Sequence, residues 1–171
     1  MAVFKRSVVI AGVSALAAAL GTLGVLYRAG LLDNALPDRA SMVHDMGGTV
    51  MPFALEKTTH VFEMTASGGI QEVVTKDPAD SGQVRLIRMH LMHEAALFRG
   101  GNFSDPASLH GADMPGLKEL SAAGDRLLVE YAALPGGARI SFTTTDPVLV
   151  TAVHRWFGAQ LSDHGADATY R

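Results

Sequence analysis

The stretch HVFEMTASGGIQEVVTKDP, residues 60–78, decides the fold, because it recurs in outline as LVEYAALPGGARISFTTTDP at residues 128–147. Each copy runs through an alternating apolar segment, a Gly-Gly pair, a second β-rich segment and Asp-Pro. In the first copy Phe62 and Met64 alternate with Val61 and Glu63, and Ile70, Val73, Val74 and Thr75 follow Gly68-Gly69. Period-two alternation on either side of a turn signal reads as two half-buried strands in a hairpin. In the second copy Leu127, Val129 and Tyr131 share a face, and Ile140 and Phe142 answer them beyond Gly136-Gly137. Asp77-Pro78 and Asp146-Pro147 then open helices, since Asp can accept a backbone N–H as N-cap and Pro fits the first helical position. A ββα unit used twice predicts an α+β domain with a four-stranded antiparallel sheet and two main helices on one face. Asp105-Pro106 marks a short third helix, and Met114 to Ala123 another turn or two.

The first main helix, about 78–99, has an unusual surface. Val84, Ile87, Leu91, Ala95 and Phe98 form the stripe that faces the sheet. The opposite side carries Leu86, Met89, His90, His93 and Leu97, with Arg85, Arg88 and Glu94 on the flanks. A helix apolar on two sides needs two covers: the 100–124 connection, a partner, or a cofactor. His90 and His93 are three apart, within reach of one ion, and the order His-x-x-His-Glu matches neither zinc-protease motif. His110 in the connection and His154 on the second main helix are further candidate ligands, for a transition metal or haem.

Toward the N-terminus, Ser7 to Tyr27 contains no charged residue, with Lys5 and Arg6 before it and Arg28 after it. A bilayer-spanning helix needs about 20 apolar residues, and the leading cations hold the N-terminus in the cytoplasm. This predicts a signal anchor over 1–28 in a bacterial inner membrane, with the rest in the periplasm. The Ala15-Leu16-Ala17 and Ala17-Ala18-Ala19 triplets also suit a signal peptidase, and cleavage there would release the domain into the periplasm. Ser14, Ala17, Gly21 and Gly24 put small residues on one face, where another membrane helix could pack closely.

Residues 29–55 read as a linker, since Pro37, Gly47, Gly48 and Pro52 interrupt any periodicity. Within it Met42, His44, Met46 and Met51 supply thioether and imidazole groups that suit copper. The domain proper is expected over 56–165, with 166–171 a tail. Beyond Arg28 the chain has 11 Lys and Arg against 17 Asp and Glu, a formal charge of 11 − 17 = −6, and no basic stripe, which argues against nucleic acid. There is no cysteine to form a disulfide or act as nucleophile, no Gly-x-Ser-x-Gly elbow and no phosphate loop.

Residues 53–165 resemble a family of short exported bacterial proteins. The likeness is carried by Leu55-Glu56-Lys57-Thr58-Thr59-His60-Val61-Phe62, Asp105-Pro106, His110-Gly111-Ala112-Asp113-Met114-Pro115-Gly116-Leu117, Thr144-Thr145-Asp146-Pro147, His154-Arg155-Trp156-Phe157 and His164-Gly165. Such proteins are sometimes labelled aspartate carbamoyltransferase, an enzyme whose Ser-Thr-Arg-Thr loop and second domain have no counterpart here. The resemblance implies domain boundaries and no particular chemistry. The leading expectation is a non-catalytic, membrane-anchored periplasmic domain that associates with a larger membrane complex. The alternative is a periplasmic copper-type metal-binding protein using the His and Met residues above.

Overall fold

The computed structural model describes residues 38–171, so the expected membrane segment and its small-residue face (Ser14, Ala17, Gly21, Gly24) lie outside the described residues. Both hairpins are present: β1 (Thr58–Thr65) with β2 (Gly68–Thr75), and β3 (Leu128–Leu134) with β4 (Gly137–Thr143). β2 pairs antiparallel with β4, which joins the hairpins into one sheet. A fifth strand corrects the four-stranded expectation. β5 (Ala168–Tyr170) runs parallel to β1 at the sheet edge, giving the order β3-β4-β2-β1-β5. The residues read as a tail therefore belong to the sheet, and three residues are too few for alternation to reveal a strand.

The turns sit earlier than expected, by two residues at Ala66-Ser67 and by one at Pro135-Gly136, so both glycines of the first pair lie in β2 and the second glycine of the later pair opens β4. A Cβ on Gly137 would stand 2.0 Å from the Val73 carbonyl oxygen, so close strand approach rather than turning requires this glycine.

Five helices complete the domain: α1 (Arg39–Gly47), α2 (Ser81–Arg99), α3 (Ser104–His110), α4 (Leu117–Ser121) and α5 (Pro147–His164). Asp146 caps α5 as expected, accepting from the Val148 N–H at 2.9 Å. The other two Asp-Pro signals act differently. Asp77 holds a turn by accepting from Ala79 N–H, and Asp80 caps α2 through Gln83 N–H at 3.1 Å. At α3 the helix starts one residue before Asp105, where Asn102 accepts from Ser104 N–H.

The stretch expected to be a linker folds into the domain from Arg39 onward. α1 ends in a turn in which Met51 N–H bonds the Gly47 carbonyl, and Val43, Met51, Phe53 and Leu55 are all buried. These apolar residues follow no single period because the segment crosses the domain as a strap rather than presenting one face.

α2 packs over β3 and β4, and α5 over β1 and β2. Their shared core is aromatic: Trp156 meets Phe98, Phe103 and Phe142 edge-on at ring-centre distances of 5.8, 5.4 and 5.4 Å, and Phe157 lies 5.0 Å from Phe62. All five residues of the expected α2 stripe are buried. Gly116, between α3 and α4, has φ +87°, and a Cβ there would lie 2.1 Å from the Ala152 carbonyl oxygen of α5. Gly116→Ala is therefore expected to destabilise the domain by about 2 kcal/mol. A urea midpoint within experimental error of wild type would show that this connection can move aside.

Candidate functional site

A cavity of about 50 Å³ lies between the sheet, α2, α3, α5 and the strap. Four histidines line it, each from a different element: His60 from β1, His90 from α2, His110 from α3 and His164 from α5. His60 points inward because it shares the period-two face of Phe62. Its ring stacks on that of His164, 4.7 Å between centres and 14° from parallel, and His110 meets His164 edge-on at 4.9 Å. Phe53 of the strap contacts both His60 and His90, at 6.1 and 5.7 Å. Between the imidazoles stand Gln71, Glu94, Trp156 and Gln160, and Val50 and Met51 close the strap side.

The wall is short of hydrogen-bond partners. Six buried side-chain atoms have none among the described residues, and five belong to this cavity: His60 Nδ1, Gln71 Oε1, Glu94 Oε1, Trp156 Nε1 and Gln160 Nε2. The sixth, Arg139 Nε, lies on the other sheet face. An unsatisfied buried polar group costs about 1–3 kcal/mol.

Burial also sets the charge. It lowers His60 well below the usual imidazole range, reinforced by His164, His90 and His110, and lowers His90 and His164 to about 4. His110 is lowered by burial too, against the opposing pull of Asp163. Glu94 is raised to about 8, first by burial and then by the charge of Asp105, with which it shares a hydrogen bond. At neutral pH the cavity thus holds neutral imidazoles and a protonated carboxyl.

One buried ionic link sits behind this wall. His110 Nδ1 donates to Asp163 at 3.0 Å, which fixes the tautomer of His110. Arg39, the first residue of α1, donates two hydrogen bonds to Asp163 and a third to the His110 carbonyl oxygen at 2.5 Å. Burial alone would raise Asp163, yet these donors hold it below the usual carboxylate range.

The candidate residues named from the sequence are scattered. His90 and His110 line the cavity, but His93 is exposed. His154 donates from Nε2 toward the carbonyls of Thr65 and Gly68, both at 3.0 Å, tying α5 to the β1–β2 turn. Met51 is buried in the strap, Met42 and Met46 are exposed, and His44 pairs with Asp167 at 2.6 Å. Among the described residues no group of three or more His, Asp or Glu side chains is arranged to hold a metal ion.

The second face of α2 is split. Leu86 and Leu97 are half-buried, Met89 is exposed, and Glu94, expected on a flank, is buried against α3. Sequence reasoning missed His60, Gln71, Gln160, Asp163 and His164. The signal for three of them was present, because Gln160, Asp163 and His164 continue the core stripe Leu149, Val153, Trp156 of α5 with polar residues.

No family model, curated protein or solved structure matches this chain. The site is therefore read from its own geometry.

Proposed function

We propose that residues 38–171 form a periplasmic ligand-binding domain whose site is the histidine cavity, carried at the inner membrane by the segment Ser7 to Tyr27. The observation that carries this reading is the convergence of five orphaned polar atoms on one cavity. A fold selected for stability alone would fill such a wall with apolar side chains, whereas a binding site keeps polar groups ready for a ligand. The reading is non-catalytic, in keeping with the lack of a complete catalytic motif in the sequence. Association with a membrane complex remains part of the proposal, supported by the small-residue face of the membrane segment and by Met89 and Met92, both exposed side by side with charged residues on α2. The scattered placement of Met42, His44, Met46 and Met51 gives the copper reading no comparable support.

The test is to replace the polar wall without changing its volume. Gln160→Leu and Gln71→Leu, each in the full chain in mild detergent, should leave the ligand-free urea midpoint unchanged or raise stability by about 1 kcal/mol. A loss of more than about 2 kcal/mol in both would mean that these amides are structural, and the binding reading would fall.

A further inference from the structure

The chemistry of the wall narrows what the cavity can hold, and the narrowing rests on the binding reading above. Trp156 Nε1 can only donate, the Gln160 amide nitrogen donates, and the Gln71 amide oxygen accepts. A ligand that satisfies all three must itself carry both an acceptor and a donor. No lysine or arginine lines the cavity among the described residues, and the nearby Arg39 is engaged by Asp163 and the His110 carbonyl. An anion would be buried without a counter-charge. A metal cation finds no group of three His, Asp or Glu side chains arranged for it. An organic cation has only the Asp105 carboxylate, which already shares a hydrogen bond with Glu94.

Size adds a second limit. The cavity measures about 50 Å³, and about 10–15 Å³ of such space holds one water-sized group, so a ligand has room for about three to five non-hydrogen atoms.

We propose that the cavity selects a small, uncharged molecule of the amide and urea class, with its carbonyl on the Trp156 and Gln160 donors and its N–H on the Gln71 acceptor. Such a ligand would satisfy three of the five orphaned atoms directly.

Three molecules of the same shape and different charge provide the test: acetamide, acetate and acetamidinium. Trp156 is the only tryptophan in the chain, so its indole N–H gives one assignable resonance inside the cavity. Each compound is titrated at pH 7 into the full chain in detergent. Acetamide should shift the resonance saturably, with a dissociation constant at least tenfold below that of either ion, and Gln160→Leu should weaken it at least tenfold while its urea midpoint holds. Equal or tighter binding of acetate or acetamidinium would overturn the ligand class and leave the binding site standing. No saturable shift with any of the three would also overturn the ligand class. The binding reading falls separately, through loss of stability in the two glutamine variants.

Discussion

Taking the full chain from pH 7 to pH 5 should lower the stability of its folded domain by about 3–4 kcal/mol through His90 and His164 alone. Both are held at about 4 in the folded state by burial, against about 6.5 in an unfolded chain. Below 6.5 the unfolded chain takes up protons that the folded domain refuses. The stability is therefore complete above pH 6.5 and is lost as pH falls toward 4. His60 and His110 are lowered too, so they steepen the loss. Glu94 returns about 2–3 kcal/mol of this over the same interval, so the expected result is a clear fall of the urea midpoint toward pH 5, carried by the four histidines together.

Glu94 acts with the opposite sign. Its folded pKa of about 8 lies above the ordinary carboxyl value, so its contribution is complete below about 4.5 and is lost as pH rises through 8. The histidines outweigh it on the acid side, because several protons are involved there against one. Above pH 6.5 only Glu94 remains, which places the stability maximum near pH 6.5 and a gentle decline beyond it. Urea midpoints at half-unit steps of pH would measure both limbs, and Glu94→Gln should flatten the alkaline limb and steepen the acid one. A midpoint constant between pH 5 and 7 would show that the four imidazoles are accessible to protons in the folded domain.

The fold was legible where local chemistry and tertiary structure agree. Alternation around Phe62 and around Ile140 marks strands because one face of each hairpin is buried, and Asp146-Pro147 starts a helix because both residues favour that position. Legibility failed where long-range contacts decide. Asp77-Pro78 carries the same local signal as Asp146-Pro147, but Asp80 three residues later is the group that caps α2. The strap over residues 39–57 has no period because its apolar residues meet different elements in turn, and β5 is defined by β1 rather than by its own three residues.

The site was hidden for a related reason. His90 stood out because it breaks the polar pattern expected of an exposed helix face, and it does line the cavity. His60 did not stand out, since a lone histidine on the inward face of a strand looks like any core position. The four imidazoles come from residues 60, 90, 110 and 164, and only the folding of β1, α2, α3 and α5 around one cavity makes them neighbours. Metal-ligand spacing searches for ligands close in sequence and so selected His93 and Met42, which the fold leaves exposed.

Asp163→Ala should be the most damaging single change around this site, costing about 2–3 kcal/mol. Asp163 is 6% exposed and accepts from His110 inside the wall and from Arg39 at the start of α1. Removing it leaves the His110 N–H buried without a partner and frees one end of the strap that carries Val50 and Met51 over the cavity. Arg39→Ala removes the other end of the same link, but the Arg39 side chain is 56% exposed and water can replace what it loses. Its expected cost is under about 1 kcal/mol. Urea midpoints of the two variants at pH 7 separate these contributions, and acrylamide quenching of Trp156 fluorescence reads the strap directly. Asp163→Ala should admit quencher to the cavity well before global unfolding, and Arg39→Ala should do so more weakly. If the two variants were equally stable, the buried His110–Asp163 bond would contribute nothing, and the strap would be held by its apolar contacts alone.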